Sequence, residues 1–380
     1  MIYLDHAAAA RPPRMTTTRR ATTKARPPRE ILDFYRACLE ESYANQEAAH
    51  RLGYDARRRL DAAAEQLSTA LAGGCRYDVV WGMSGTELFN LIADSPFAAG
   101  KRVVSSRLEH PALTANLRRT AGALTLLPAG RDGGISAGSV PADFTAFHLV
   151  QSELGRIQDA AALAGIAPGA VRMLDAIQAA GRFPIPAGTA ELIVVSGHKF
   201  GSPGGAAILV DPAAKCARPF QEFARRYRHE DYRIGRPEAP VLLAMAYAAE
   251  LRCRELERNA AKARGLNRLL RSGLSGLLLP GGKRSFCTIP EEVASPWILH
   301  VTLPGVETGV LVRMLSEAGI MAAAGSACSS ESREPSPALL AIGFRRADAW
   351  SGLRVSLGPD SSGGDAEKLI KAVRNVLKNW

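Results

Sequence analysis

Short apolar runs, each ending on a polar or acidic residue and alternating with stretches of helical periodicity, constrain this 380-residue chain more than any other feature. Leu192 to Val195 leads into Ser196-Gly197-His198-Lys199 and then into the turn Gly201-Ser202-Pro203-Gly204-Gly205, from which a second run, Ala206 to Val210, departs. Arg102 to Ser105, Ala146 to Val150 and Val171 to Leu174, which ends at Asp175, repeat the pattern. Asp78 to Trp81 does so too, running into Ser84-Gly85-Thr86-Glu87 and a helix from Leu88 to Ala93. Runs this short, bounded by turn residues, read as buried strands. Strands alternating with helices predict an α/β fold with a mostly parallel sheet flanked by helices, and such sheets bind ligands at the carboxyl ends of their strands. Thr86, His110, Asp175, Gln178 and Lys199 are therefore expected along one edge. Gln178 falls one turn beyond Asp175 if a helix begins there.

The remainder of the chain suggests a division into parts. Ile31 to Glu41 and Tyr54 to Leu71 carry apolar residues at helical spacing, and Glu109-His110-Pro111 opens a further helix. From Val241 to Leu269 the sequence is helical and increasingly charge-laced, which predicts a connection to a second unit. In that unit Ser295 to Pro304 and Leu353 to Leu357 read as strands, Gly309 to Ala318 and Ala366 to Leu377 as helices. The expected organisation is a lead-in over 1–30, a large domain over 31–250 and a smaller α+β domain over 251–380. No internal repeat is present.

Composition excludes several classes. Hydrophobic residues at 47% and charged residues at 22% are ordinary for a globular protein. The apolar stretches are too short to span a bilayer, and Met1 to His6 lacks the basic and apolar regions of a signal peptide, so a cytoplasmic protein is expected. Six cysteines are scattered with no C-x-x-C pair, which argues against a zinc module or a disulfide framework, and no metal is expected. Most of these thiols are expected to be buried and inert. Of the net charge of +11, seven units fall between Arg11 and Arg29, a Thr- and Pro-rich stretch with no acidic residue. No aromatic residues are interleaved there for base stacking, so a solvated excursion is favoured over a nucleic-acid arm.

Two sites carry chemistry. A lysine at the mouth of a buried strand is poorly hydrated, and a desolvated amine is the requirement for a Schiff-base lysine. Taken alone, Lys199 reads more simply as a surface lysine in a hairpin loop. Ser84-Gly85-Thr86 at a helix start offers backbone N–H groups and a hydroxyl to an anion such as phosphate, although the same residues also serve as ordinary caps.

The order and spacing of the motifs resemble those of the cysteine desulfurases, pyridoxal-phosphate enzymes of the aminotransferase class V, fold type I group. The resemblance runs through Tyr3-Leu4-Asp5-His6-Ala7-Ala8, Asn45 with His50-Arg51-Leu52-Gly53, Ser84-Gly85-Thr86-Glu87, Glu109-His110, Glu153-Leu154-Gly155, Asp175-Ala176-Ile177-Gln178, Ser196-Gly197-His198-Lys199, Gly325-Ser326-Ala327-Cys328-Ser329-Ser330 and Leu353-Arg354-Val355-Ser356-Leu357-Gly358. It implies that Lys199 holds pyridoxal 5'-phosphate covalently, Asp175 pairs with the ring nitrogen and Gln178 with the ring hydroxyl. By the same likeness His110 stacks on the ring and moves protons, and Gly85, Thr86, Ser196 and His198 hold the phosphate. Arg354, with Asn45, would bind the substrate carboxylate. Cys328, in a run of Gly, Ser and Ala, would take sulfur from L-cysteine as a persulfide and pass it to an acceptor protein such as an iron-sulfur scaffold. A homodimer is implied, since the family's cofactor sites lie at the subunit interface.

Three departures stand out. Ser152 replaces a second asparagine near the ring hydroxyl, and Arg236 stands where the family's threonine reaches the neighbouring subunit's phosphate. The Arg11 to Arg29 excursion is longer than the family's connection. A selenocysteine lyase or related lyase would keep Lys199, Asp175 and His110 without needing Cys328. A degenerate scaffold or nucleic-acid-associated homologue is the alternative of another class.

Overall fold

The computed structural model describes residues 1–9, 29–186, 188–325, 334–378 and 380. Strand β1 (Ile2–Tyr3) pairs in parallel with β11 (Ile320–Met321), tying the lead-in to the C-terminal part. The large sheet consists of β2 (Asp78–Gly82), β3 (Arg102–Ser106), β4 (Ala123–Leu127), β5 (Phe144–His148), β6 (Val171–Asp175), β7 (Leu192–Ser196) and β8 (Ala206–Val210), in the order β2-β8-β7-β6-β5-β3-β4. Every neighbouring pair is parallel except those of β8, which runs antiparallel to both β7 and β2. The reason is length: the connection from Gly197 to Gly205 is too short for the crossover that a parallel strand needs.

Strands β5, β7 and β8 are buried along their whole length, as expected of a sheet covered on both faces. The period of two sorts their side chains. Leu192 and Val194 pack with Leu88, Leu91 and Phe220 on one face. Ile193 and Val195 pack with Leu67, Leu242 and Met245 on the other. The first face is covered by helices that include Gly85–Asp94 and Ala217–His229, the second by Arg51–Leu71 and Ala239–Arg254. A second, antiparallel sheet has the order β12 (Ala323–Ala324), β13 (Gly352–Ser356), β10 (Ile298–Thr302), β9 (Phe286–Cys287).

Several elements differ from expectation. Strand β5 ends at His148 rather than Val150, because Val150 bridges to Ile157 across a tight turn and leaves the sheet. No helix starts at Asp175: the N–H groups of Ala179 and Ala180 both donate to Ala176 O, and Gly181 at φ +67° ends the turn. The long helical stretch is broken at Glu255 into Ala239–Arg254 and Leu256–Leu274. Strand β4 was not anticipated, although Gly122 and Pro128 bracket an alternating Ala-Leu-Thr-Leu-Leu. Of the basic excursion only residue 29 lies inside the described residues, as the first residue of a helix.

Candidate active site

The carboxyl ends of β2, β6 and β7 open on a cavity of about 320 Å³ whose lining includes Thr86, His110, Asp175, Gln178 and Lys199. The same cavity reaches Gly85, Ser152, Ser196, His198 and Arg354. Residues distant in sequence thus converge as strand polarity requires.

Lys199 sits in the turn between β7 and β8. Its Nζ donates to the carbonyl oxygens of Ala7 (3.0 Å) and Ala8 (2.5 Å), so the lead-in borders the site. Ser196 Oγ lies 3.0 Å from His198 Nδ1. Burial, and then the nearby charge of Lys199, lowers the His198 pKa to about 4, leaving a neutral ring at physiological pH. Gly197 has no room for a side chain, since a Cβ there would meet Gly204 O at 2.4 Å.

Asp175 closes β6. Its Oδ1 accepts the Ile177 N–H at 2.9 Å. Burial, with the Glu109 charge adding to it, pushes its carboxyl up to about 6 against the pull of that N–H. No cation makes an ion pair with it among the described residues. Three residues on, Gln178 accepts from Arg182 Nη1 at 2.8 Å and donates from Nε2 to Ala7 O at 2.9 Å, which fixes the direction of its amide.

Across the cavity, Ser84 caps the helix Gly85–Asp94 in a capping box with Glu87. Its hydroxyl satisfies the Glu87 N–H, so the N–H groups of Gly85 and Thr86 remain for an anion at the positive end of the helix. His110 caps the helix Pro111–Thr120 through Nδ1, which accepts the Ala112 N–H at 3.2 Å. The ring's proton therefore sits on Nε2 in the neutral form. Burial, then the Lys199 charge, lowers the His110 pKa, while Glu109 opposes both.

Arg354, on β13, is 2% exposed and pairs with Asp5 Oδ1 at 2.6 Å; its Nη1 donates to Ser152 O at 3.2 Å. Its Nε has no hydrogen-bond partner among the described residues. Two buried titratable groups flank it. Burial raises the Glu153 pKa, and burial followed by the Arg354 charge drops His300 to about 3.

The structure leaves two expected residues outside the cavity. Asn45 is exposed, and its Oδ1 accepts the Glu47 N–H at 2.9 Å in a local turn that leads into the helix Arg51–Leu71. Arg236 is 39% exposed and lies 3.6 Å from Glu238. Cys328 lies outside the described residues. Among the described cysteines Cys38 and Cys216 are buried, whereas Cys75 is exposed.

Sequence reasoning missed a polar network behind the site. Gln158 Oε1 accepts the Ile135 N–H (3.1 Å) and its Nε2 donates to Gly133 O (2.8 Å), so the same Nε2 donates to His148 Nε2 at 3.2 Å. That leaves the His148 proton on Nδ1, which donates to Glu109 Oε1 at 2.8 Å beside the Ser106 hydroxyl at 2.6 Å. The available signal was the place of His148 at the end of a strand. Arg182, a lone arginine in a turn, carried no signal at all.

The profile of the aminotransferase class-V family matches residues 17–369. The chain belongs to that family. Its cofactor is pyridoxal 5'-phosphate. An IscS-like cysteine desulfurase of Mycobacterium tuberculosis is 29% identical, aligned over 99% of this chain and 96% of its own. A cysteine desulfurase of Gluconacetobacter diazotrophicus is 27% identical over 89% of this chain and 87% of its own. Among solved structures, a NifS-like protein of Rickettsia africae superposes with a TM-score of 0.78 at 21% identity, covering 100% of this chain and 99% of that one. The fold is therefore that of the NifS-like proteins. The residues present fit the cofactor: a buried carboxyl with no ion-pair partner among the described residues suits a pyridinium, and the N–H groups of Gly85 and Thr86 at a helix start suit a phosphate.

Proposed function

We propose that this protein is a cysteine desulfurase that converts L-cysteine and the Cys328 thiol into L-alanine and a Cys328 persulfide, whose sulfur passes to an acceptor protein. The observation that carries this reading is the meeting of Lys199, Asp175, His110 and Arg354 in one cavity. Similarity to proteins named cysteine desulfurase along nearly the whole chain supports it. The acceptor would serve iron-sulfur cluster assembly or another thio-modification in the cytoplasm. Among the described residues no helix is long and apolar enough to cross a membrane.

When bound, the cofactor supplies the electron sink for chemistry at the substrate's carbon atoms. Lys199 is the amine that would hold it. Asp175, ionised by the opposing ring nitrogen, would keep that nitrogen protonated, and Gln178, its amide set by Arg182, would present Nε2 to the ring hydroxyl. Gly85, Thr86, Ser196 and His198 would surround the phosphate, and Ser152 would stand near the ring hydroxyl. His110, neutral with its proton on Nε2, is suited to give a proton to the substrate and recover it later. Arg354 would receive the substrate carboxylate through its fork, one nitrogen of which has no partner among the described residues. The sulfur leaves the substrate by attack of the Cys328 thiolate, forming the S–S bond as the C–S bond breaks.

A homodimer is part of this reading. Phe34, Tyr43, Leu52, Tyr54 and Tyr232 expose apolar surface, and Arg236, outside its own chain's cavity, would reach the phosphate in the partner.

The test is the visible absorption of the purified protein on addition of pyridoxal phosphate and then L-cysteine. A band that is absent in Lys199→Ala, and that cysteine perturbs as alanine appears, is the expected outcome. Undiminished multiple turnover in Cys328→Ser would place the sulfur acceptor elsewhere.

A further inference from the structure

Two buried guanidinium groups hold the peptide that carries Lys199. Arg182 Nη2 donates to Lys199 O at 3.1 Å and to His6 O at 2.8 Å, while its Nη1 donates to Gln178 Oε1 at 2.8 Å. Arg252, from the helix Ala239–Arg254, donates from Nε to the next carbonyl, Phe200 O, at 2.9 Å. Their side chains belong to residues only 6% and 7% exposed. Neither forms an ion pair with a carboxylate among the described residues. Burying a guanidinium without a carboxylate is expensive, so the fold spends stability at this place.

Packing around the turn matches that reading. A Cβ at Gly201, at φ +100°, would meet Arg252 Nη2 at 2.8 Å, and one at Gly181 would meet the Arg252 Cβ at 3.1 Å. Trp297 Nε1 donates to Arg182 O at 3.3 Å, so the small sheet's side of the molecule also anchors the clamp.

We propose that Arg182 and Arg252 are positioning residues that grip the consecutive carbonyls of Lys199 and Phe200, fixing the lysine's direction and the Gln178 amide before the cofactor arrives. The inference rests on the reading of Lys199 as the residue that holds the cofactor. The two arginines differ in what could replace them. Arg252 is shown with one acceptor, which a lysine ammonium can also serve. Arg182 joins three acceptors from three segments with a planar fork that a lysine cannot reproduce.

The experiment compares Arg182→Met, Arg252→Met, Arg182→Lys and Arg252→Lys by two readouts. One is amide hydrogen exchange across Gly197–Gly201 in cofactor-free protein; the other is the dissociation constant for pyridoxal phosphate with the circular dichroism of its visible band. Both Met variants are expected to speed exchange in the turn by about tenfold, weaken the cofactor by about tenfold and flatten the dichroic band. Arg252→Lys should restore all three and Arg182→Lys none. Should the Met variants not fold, the Lys pair decides, and equal behaviour of the two overturns the proposal. Unchanged exchange in both Met variants also overturns it. A chain that binds no cofactor while its turn still loosens in the Met variants would instead remove the reading of Lys199 and leave the clamp standing.

Discussion

The two ends of the cavity manage charge in opposite ways. At the cofactor end, Asp175 has no ion-pair partner among the described residues, where Arg182 and Arg252 are held by carbonyls rather than carboxylates. At the substrate end, Arg354 already has a carboxylate, Asp5, at 2.6 Å, and burial disfavours the charged forms of its titratable neighbours Glu153 and His300. The cofactor end therefore holds a buried carboxyl that an incoming cation would complement, whereas the substrate end holds a pair from which a ligand must win its share. The first arrangement suits a resident group. The second suits a substrate and product that come and go, because the pair re-forms on departure.

The largest expected effect breaks the first arrangement. Asp175 has a folded-state pKa of about 6, above its value in the unfolded chain. Between those two values the folded cofactor-free protein binds more protons than the unfolded one, so this group's contribution to stability falls as pH rises through that window and stays lost above it. Asp175→Asn removes the burden. Cofactor-free Asp175→Asn is expected to be more stable than the parent by about 3 kcal/mol at pH 7, with the gap closing toward pH 4, while losing most of its affinity for pyridoxal phosphate. Urea unfolding at a series of pH values measures it; a gap that does not depend on pH would show that Asp175 already has a compensating cation. Next in size is Arg354→Lys. Losing the fork should lower kcat/KM for L-cysteine by about 30-fold, roughly 2 kcal/mol, chiefly through KM, with cofactor affinity unchanged. An equal fall in cofactor affinity would mean that the two ends are not separate.

The contrast also explains what the sequence could disclose. Strands β6 and β7 were legible because Val171 to Leu174 and Leu192 to Val195 are apolar runs ended by polar residues, and the edge they share follows from the alternation of strands and helices. Asp175, Lys199 and Thr86 could be placed together on that basis. What holds them could not. Arg252 acts through a backbone carbonyl and Arg182 through two of them and the Gln178 amide, so no charge pairing marks either one. Glu109 and His148 meet across 39 positions, because β3 and β5 are neighbours in the sheet. Asn45 illustrates the converse: its place in a motif suggested a ligand contact, but in this chain its side chain closes a local turn. The antiparallel course of β8 was foreseeable from the length of the turn alone.

The smallest effect sharpens the comparison at the substrate end. Glu153 is 2% exposed and accepts from the Ser336 hydroxyl, with His300 Nε2 3.8 Å away. Burial shifts its pKa upward, toward the protonated form, and to that form glutamine is nearly equal in shape and charge. Glu153→Gln should therefore change stability by less than about 1 kcal/mol and leave KM for L-cysteine within about twofold. A carboxylate there would instead share the Arg354 charge with Asp5, and its removal would tighten the hold on the substrate carboxylate. A clear fall in KM in Glu153→Gln would thus show that Glu153 is ionised, and that the substrate end balances its arginine with two carboxylates rather than one.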